Sequence, residues 1–306
     1  MKGLEESRLF YEEYGREMLH SRFPEFEDSI AVGLAGHGSE CYGFDDEISR
    51  DHDFSNGFCL WINDADDIFI GQELWKAYRE LPFKEYGEKS ALGGGRGVCR
   101  QAFFFRRYTG SSGAPKSPEQ WLSVPETALA EASNGQVWRD DTGSFTAERE
   151  KILNGMPEDV WKKRLAARAA EMAQSGQYNY VRCIRRGQYG AAMLAMNEFV
   201  KSAAEMIYLL NRRHMPYYKW MFRGMDELEK LSDMKEALEF LLTGENDSSG
   251  QKTKSGVVED ICASVIKELQ AQKLTGGSWD YMEPHAFEIM DRIDDPGIRA
   301  MHIMEG

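Results

Sequence analysis

Residues 35–54 read AGHGSECYGFDDEISRDHDF, and what surrounds this stretch decides the fold. Just upstream, IAVGLAG (Ile30 to Gly36) is small, apolar and partly β-branched, the pattern of a short buried strand that ends at a glycine turn. At the other end, Asp51 and Asp53 flank His52 and run into FSNGFCLWI, aromatic and apolar enough to be a second strand over roughly 52–62. Alternate residues of a strand share a face, so the two carboxylates are expected side by side. Adjacent like charges are costly unless a cation lies between them. The pair therefore points to a metal.

The chain has 306 residues, is 42% apolar and 12% aromatic, and so has the composition of a globular protein with room for two domains. It contains no apolar run long enough to span a membrane, and its opening segment MKGLEESRLFYEEYGREM lacks a signal-peptide core. The five cysteines are scattered without a CxxC pair, which gives neither a disulfide framework nor a zinc site. A cytoplasmic location is expected. The net charge of −14 argues against duplex DNA as partner. That charge is uneven, at −12 over residues 1–150 and −2 over 151–306. Within the second half, Arg182, Arg185, Arg186, Lys201, Arg212, Arg213, Lys219 and Arg223 face only Glu198 and Glu205 in sequence, a candidate anion site.

Helical spacing is expected over residues 4–20 and in DADDIFIGQELWKAYRELP. ALGGGRGV (91–98) reads as a loop, VCRQAFFFRRY (98–108) as a strand, SPEQWLSVPETALAEAS as mostly helix, and GQVWRDD (135–141) as a short strand. Strands alternate with helices to about residue 146. Beyond it only helical spacing remains, with GENDSSGQKTKSG (244–256) as an exposed loop between helices.

Gly38-Ser39 after one strand and Asp51-His52-Asp53 on the next, with helices to follow, resembles the nucleotidyltransferase superfamily that includes polymerase beta and aminoglycoside nucleotidyltransferases. The resemblance implies an α+β fold: a mixed sheet with flanking helices over 1–146, then an all-helical domain over 147–306. It implies that the Gly38-Ser39 turn opens a helix whose N–H groups hold the β- and γ-phosphates of a nucleoside triphosphate. It also implies that Asp51 and Asp53 are the catalytic residues that bind Mg²⁺. More closely, GSECYGFDDEISRDHDF, VWRDDTGSFTAEREKIL and LLNRRHMPYYKW are similar to an uncharacterised bacterial family known as domain of unknown function 4037, over about residues 30–225. The superfamily adds a third carboxylate on the next core strand, yet VCRQAFFFRRY has no acid. Asp140 or Asp141, or Glu198 or Glu205, are the candidates to replace it.

Asp45, Asp46 and Glu47 read as a solvated rim, and His37 and His52 as hydrogen-bond partners beside the site rather than ligands. Asn197, Lys201 and Glu205 recur at helical spacing opposite an apolar face, and Lys201 is the residue expected to close on the triphosphate. The glycines of ALGGGRG match neither phosphate-loop pattern. The expected activity is Mg²⁺-dependent transfer of NMP from an NTP to a hydroxyl or phosphate acceptor, with a homodimer left open. The alternative is an inactive nucleotide-binding or toxin-antitoxin-type interaction protein. The ribonuclease partners such systems use show an Arg followed four to six residues later by His on a helix, and the helical half lacks that spacing.

Overall fold

The computed structural model describes residues 1–48, 54–86 and 96–306. Asp51, His52 and Asp53, and most of ALGGGRGV, lie outside the described residues. The chain forms two compact units, Met1–Lys116 with Val124–Gly155, and Ser117–Ser123 with Met156–Gly306. The division falls later than residue 146 because α7 (Ser144–Asn154) belongs to the first unit. Its Phe145 stacks on Trp61 with ring centroids 3.9 Å apart.

The first unit carries a four-stranded mixed sheet in the order β5 (Gly97–Arg100), β3 (Cys59–Ile62), β1 (Ala31–Leu34), β6 (Gln136–Arg139). β1 is antiparallel to both neighbours, and β3 is parallel to β5. A separate antiparallel ladder pairs β2 (Phe54–Ser55) with β4 (Glu85–Tyr86). The single strand expected over 52–62 is thus two strands. The cause is Tyr78 of α3 (Asp64–Arg79), whose hydroxyl takes both the N–H of Phe58 (3.0 Å) and its carbonyl (2.8 Å). The Phe58 N–H is then satisfied without a ladder partner, while its carbonyl also accepts from Gly97 N at 2.9 Å at the start of β5.

The pleat sorts β3 onto two cores. Leu60 and Ile62 join Phe10, Leu19, Phe23, Leu74 and Tyr78, which come from α1 (Gly3–Phe10), α2 (Arg16–Arg22), the residue after it, and α3. Trp61, on the opposite face, meets Phe145 and lies edge-on to Phe104. A Cβ on Gly33 would stand 2.2 Å from the Gln136 carbonyl oxygen, so glycine here lets β6 lie alongside β1.

VCRQAFFFRRY is not one strand. β5 stops at Arg100, and Gln101–Thr109 is helix α4. Phe104, Phe105 and Thr109 fall on one buried face while Arg106 and Arg107 are exposed, so helical spacing outweighs the β-propensity of the aromatics. α6 (Glu126–Ser133) packs on both α4 and α7.

The second unit is all-helical. It comprises α5 (Pro118–Ser123), α8 (Glu158–Met172), α9 (Val181–Arg185), α10 (Tyr189–Leu210), α11 (Tyr218–Met225), α12 (Met234–Thr243), α13 (Ser248–Ala271), α14 (Met282–Asp291) and α15 (Pro296–Arg299). α8 is its spine, packed against α10 and α14. The expected loop 244–256 is a correction: from Ser248 onward it is helix. Asp247 caps it, accepting from Gly250 N at 2.7 Å, and Lys254 is buried with its Nζ donating to Asn246 Oδ1 at 2.7 Å. Among the described residues, no helix is long and apolar enough to cross a membrane.

Candidate functional site

β1 hands the chain to a turn that only glycine could make cheaply at two places, since Gly36 has φ +108° and Gly38 φ +126°. Asn134 holds the turn from the other side. Its Oδ1 accepts from Gly36 N (2.7 Å) and its Nδ2 donates to Gly36 O (2.8 Å). Gly135 N then donates to Cys41 O at 2.9 Å. The turn is therefore tied to the entrance of β6 by both of its limbs.

The expected α-helix after Gly38-Ser39 is absent. A 3₁₀ turn, Glu40–Tyr42, follows instead, and it closes at Gly43 with φ +70°. Three N–H groups are spent locally: Cys41, Tyr42 and Gly43 donate to the carbonyls of Gly38, Ser39 and Glu40 at 3.2, 3.1 and 3.0 Å. A three-residue turn has no appreciable helix dipole, so charge attracting an anion here has to come from side chains.

Arg96 supplies one, and sequence reasoning missed it. Its guanidinium pairs with the Glu40 carboxylate, both side chains being nearly buried at 8% and 11% exposure. Its Nη1 donates to the Ser55 carbonyl and to Ser55 Oγ, the latter at 2.8 Å. The Glu40 carboxylate in turn lies over Gly38, where a Cβ would stand 2.5 to 2.7 Å from Oε1, Cδ and Oε2. The residue types gave no signal, because Arg96 stands in a glycine run and its partner is distant in sequence.

Ser39 is almost buried, and its hydroxyl has no side-chain partner among the described residues. His37 Nδ1 lies 3.3 Å from Glu131 Oε1, and this hydrogen bond raises its pKa against the opposing effect of burial. Burial pushes the Cys59 thiol up to about 12 and Cys41 well above its ordinary value, which makes both inert at neutral pH.

Asp45 is no solvated rim charge. It is 2% exposed, and its Oδ2 accepts from Gly3 N at 2.9 Å at the start of α1. Its Oδ1 is buried with no hydrogen-bond partner among the described residues. Most candidates for the missing third carboxylate are committed elsewhere. Asp140 Oδ2 accepts from Thr146 N (2.8 Å) at the start of α7, Asp141 pairs with Arg139 (2.5 Å), and Glu205 pairs with Arg168 of α8 (3.0 Å). Glu198 is exposed on α10.

In the second unit Lys201 is exposed on α10, and Asn197 of the same stripe bonds back to Met193 O at 2.8 Å. The basic residues from Arg182 to Arg223 are all exposed. Arg212 is nonetheless engaged, paired with Glu158 (2.8 Å) and lying 3.3 Å above the Trp161 ring. Among the described residues no group of three or more His, Cys, Asp or Glu side chains could hold a metal, and Asp51 and Asp53 lie outside them.

No curated protein matches the chain in sequence. A solved structure, that of a nucleotidyltransferase-like protein from Exiguobacterium sibiricum 255-15, aligns over 92% of this chain and 81% of its own at 13% identity and a TM-score of 0.39. A likeness that weak carries no argument about the site. Residues 121–221 match the family described as Domain of unknown function (DUF4037), so the similarity drawn from VWRDDTGSFTAEREKIL and LLNRRHMPYYKW holds over that stretch, and residues 30–54 fall outside it.

Proposed function

We propose that the protein binds a nucleoside triphosphate at the Gly38-Ser39 turn and transfers its NMP to a hydroxyl or phosphate acceptor. The observation that carries this reading is the nearly buried Arg96 guanidinium beside a glycine turn at the end of β1. The anion that matches it in this structure is the Glu40 carboxylate, and a guanidinium held there is equally suited to the paired oxygens of a phosphate. The Ser39 hydroxyl and the space over Gly38, filled here by the flexible Glu40 side chain, suit close approach of a phosphate, and Asp51 and Asp53, just before β2 in sequence, are an all-oxygen donor set suited to Mg²⁺. Mg²⁺ held there would supply charge neutralisation at the phosphates. Asp45 is the acid we assign to the missing third place, because its buried Oδ1 has no partner among the described residues. Transfer of this kind depends chiefly on positioning and charge, so few groups suffice: the acceptor oxygen attacks the α-phosphorus in line as pyrophosphate departs.

The test is incubation with each labelled NTP and Mg²⁺, with and without cell extract as a source of acceptor, reading pyrophosphate release. Release that disappears in Asp51→Asn supports the reading. Failure of every NTP to bind refutes it. A second reading, nucleotide binding without transfer, is favoured by the lack of any acid on β5. Tight Mg²⁺-dependent binding with no pyrophosphate release, with or without extract, selects it.

A further inference from the structure

The Glu40–Arg96 pair is a costly construction for a turn that needs neither charge to fold. Both groups lose most of their hydration, and such pairs add little net stability over apolar packing. Its placement is specific. The carboxylate occupies the space that Gly38 leaves by having no side chain, directly beside Ser39, and Arg96 reaches it while also holding the Ser55 backbone. A carboxylate and a phosphate share the features that a guanidinium recognises, paired oxygens and negative charge.

We propose that the Glu40 carboxylate stands in for a phosphate of the nucleotide: it holds Arg96 in place over Gly38 until a polyphosphate displaces it and takes over the guanidinium. Arg96 is then a phosphate-binding residue, and Glu40 an internal competitor for the same site. The inference rests on the nucleotide reading above, which it deepens by naming the groups that contact the phosphates. Displacement is mechanically cheap. The atoms crowding Gly38 are the far end of a flexible side chain, whereas around Gly33 and Gly135 they are backbone that cannot move aside. Arg96 itself stays anchored through Ser55 while its partner changes. No bond is made or broken. One charge-assisted contact replaces another.

Competition has a measurable signature, since a ligand that must displace an internal group has its dissociation constant raised by the reciprocal of the fraction of time the site stands free of that group. Glu40→Gln removes the competing charge and keeps an acceptor for Arg96. We expect inorganic tripolyphosphate, measured by calorimetry without Mg²⁺, to bind Glu40→Gln on the order of 10-fold more tightly than wild type. It should bind Arg96→Gln on the order of 10-fold more weakly. The double variant Glu40→Gln/Arg96→Gln, which carries neither charge, should show the arginine loss without the glutamate gain, and it covers the case in which Arg96→Gln alone does not fold. Equal affinity in wild type and Glu40→Gln overturns the inference. If Mg²⁺-ATP, -GTP, -CTP or -UTP still binds wild type in that case, the nucleotide reading survives without it. Tighter tripolyphosphate binding by Glu40→Gln with no NTP bound by any variant does the reverse, supporting the anion site and refuting the nucleotide reading.

Discussion

Gly38→Ala tests the geometry of the turn directly. At φ +126° a residue with a Cβ is strained by on the order of 1–3 kcal/mol. The new methyl would also stand 2.5 Å from Glu40 Oε1, so the carboxylate has to leave Arg96. Breaking a nearly buried ion pair adds about 3 kcal/mol. A cost near 5 kcal/mol is expected, read as the shift in urea midpoint at unchanged slope. The informative measurement is the cycle with Glu40→Ala. That variant breaks the same pair, so the pair is lost only once in the double variant, and its total should fall short of the sum of the singles by about 3 kcal/mol. In the Glu40→Ala background Gly38→Ala then costs only its backbone strain. Additivity within about 0.5 kcal/mol would refute the reasoning, because it would mean that the methyl and the carboxylate never compete for the same space.

Asp51→Asn/Asp53→Asn is expected to abolish Mg²⁺-dependent NTP binding with an unchanged or raised Tm, as like-charge repulsion is relieved; unaltered affinity in the presence of Mg²⁺ removes these two from the metal site. Lys201→Ala is expected to weaken triphosphate binding about 10-fold with monophosphate binding unaffected, and equal losses or none would assign the charge of α10 to another role. Lys163 is buried on α8 and donates to the carbonyls of Ile303, at 3.1 Å, and Glu305, and burial lowers its pKa from 10.5 to about 8. The folded state therefore binds this proton less readily than the unfolded one. Its contribution to stability is fully present above about 10.5 and is lost as pH falls through about 8, a change of ~3 kcal/mol. Wild type should gain about 2 kcal/mol more than Lys163→Met between pH 7 and pH 10, and parallel pH profiles would exclude the effect.

The parts of this fold that could be read from the sequence are those fixed by local period. The glycine-punctuated β1, the long α3 and the change to helix after the first unit all declare themselves within a dozen residues. The parts that could not are decided by partners far along the chain. FSNGFCLWI looks continuous because nothing in it announces that Tyr78 will take the Phe58 peptide. VCRQAFFFRRY looks extended because its aromatic content favours a strand, whereas its spacing and the pairing of Phe104 and Phe105 with Phe145 favour the helix.

The site divides in the same way. Gly38 and Ser39 were legible because a turn at a strand end is a local device, and positive φ at Gly36 and Gly38 is its backbone requirement. Asp45 was misread from its neighbours: three acids in a row suggest solvent, yet one of them meets the first N–H of α1 and is buried by doing so. Arg96 carried the opposite error, since a basic residue in a glycine run looks like a loop charge until Glu40 and Ser55 enclose it. Both cases follow from one physical rule, that a buried charge is recognised only by its partner, and partners are set by the fold. Gly38 answers to two demands at once: its φ of +126° needs a residue without a Cβ, and the space this leaves is where the Glu40 carboxylate reaches Arg96, the place our proposal gives to the phosphate.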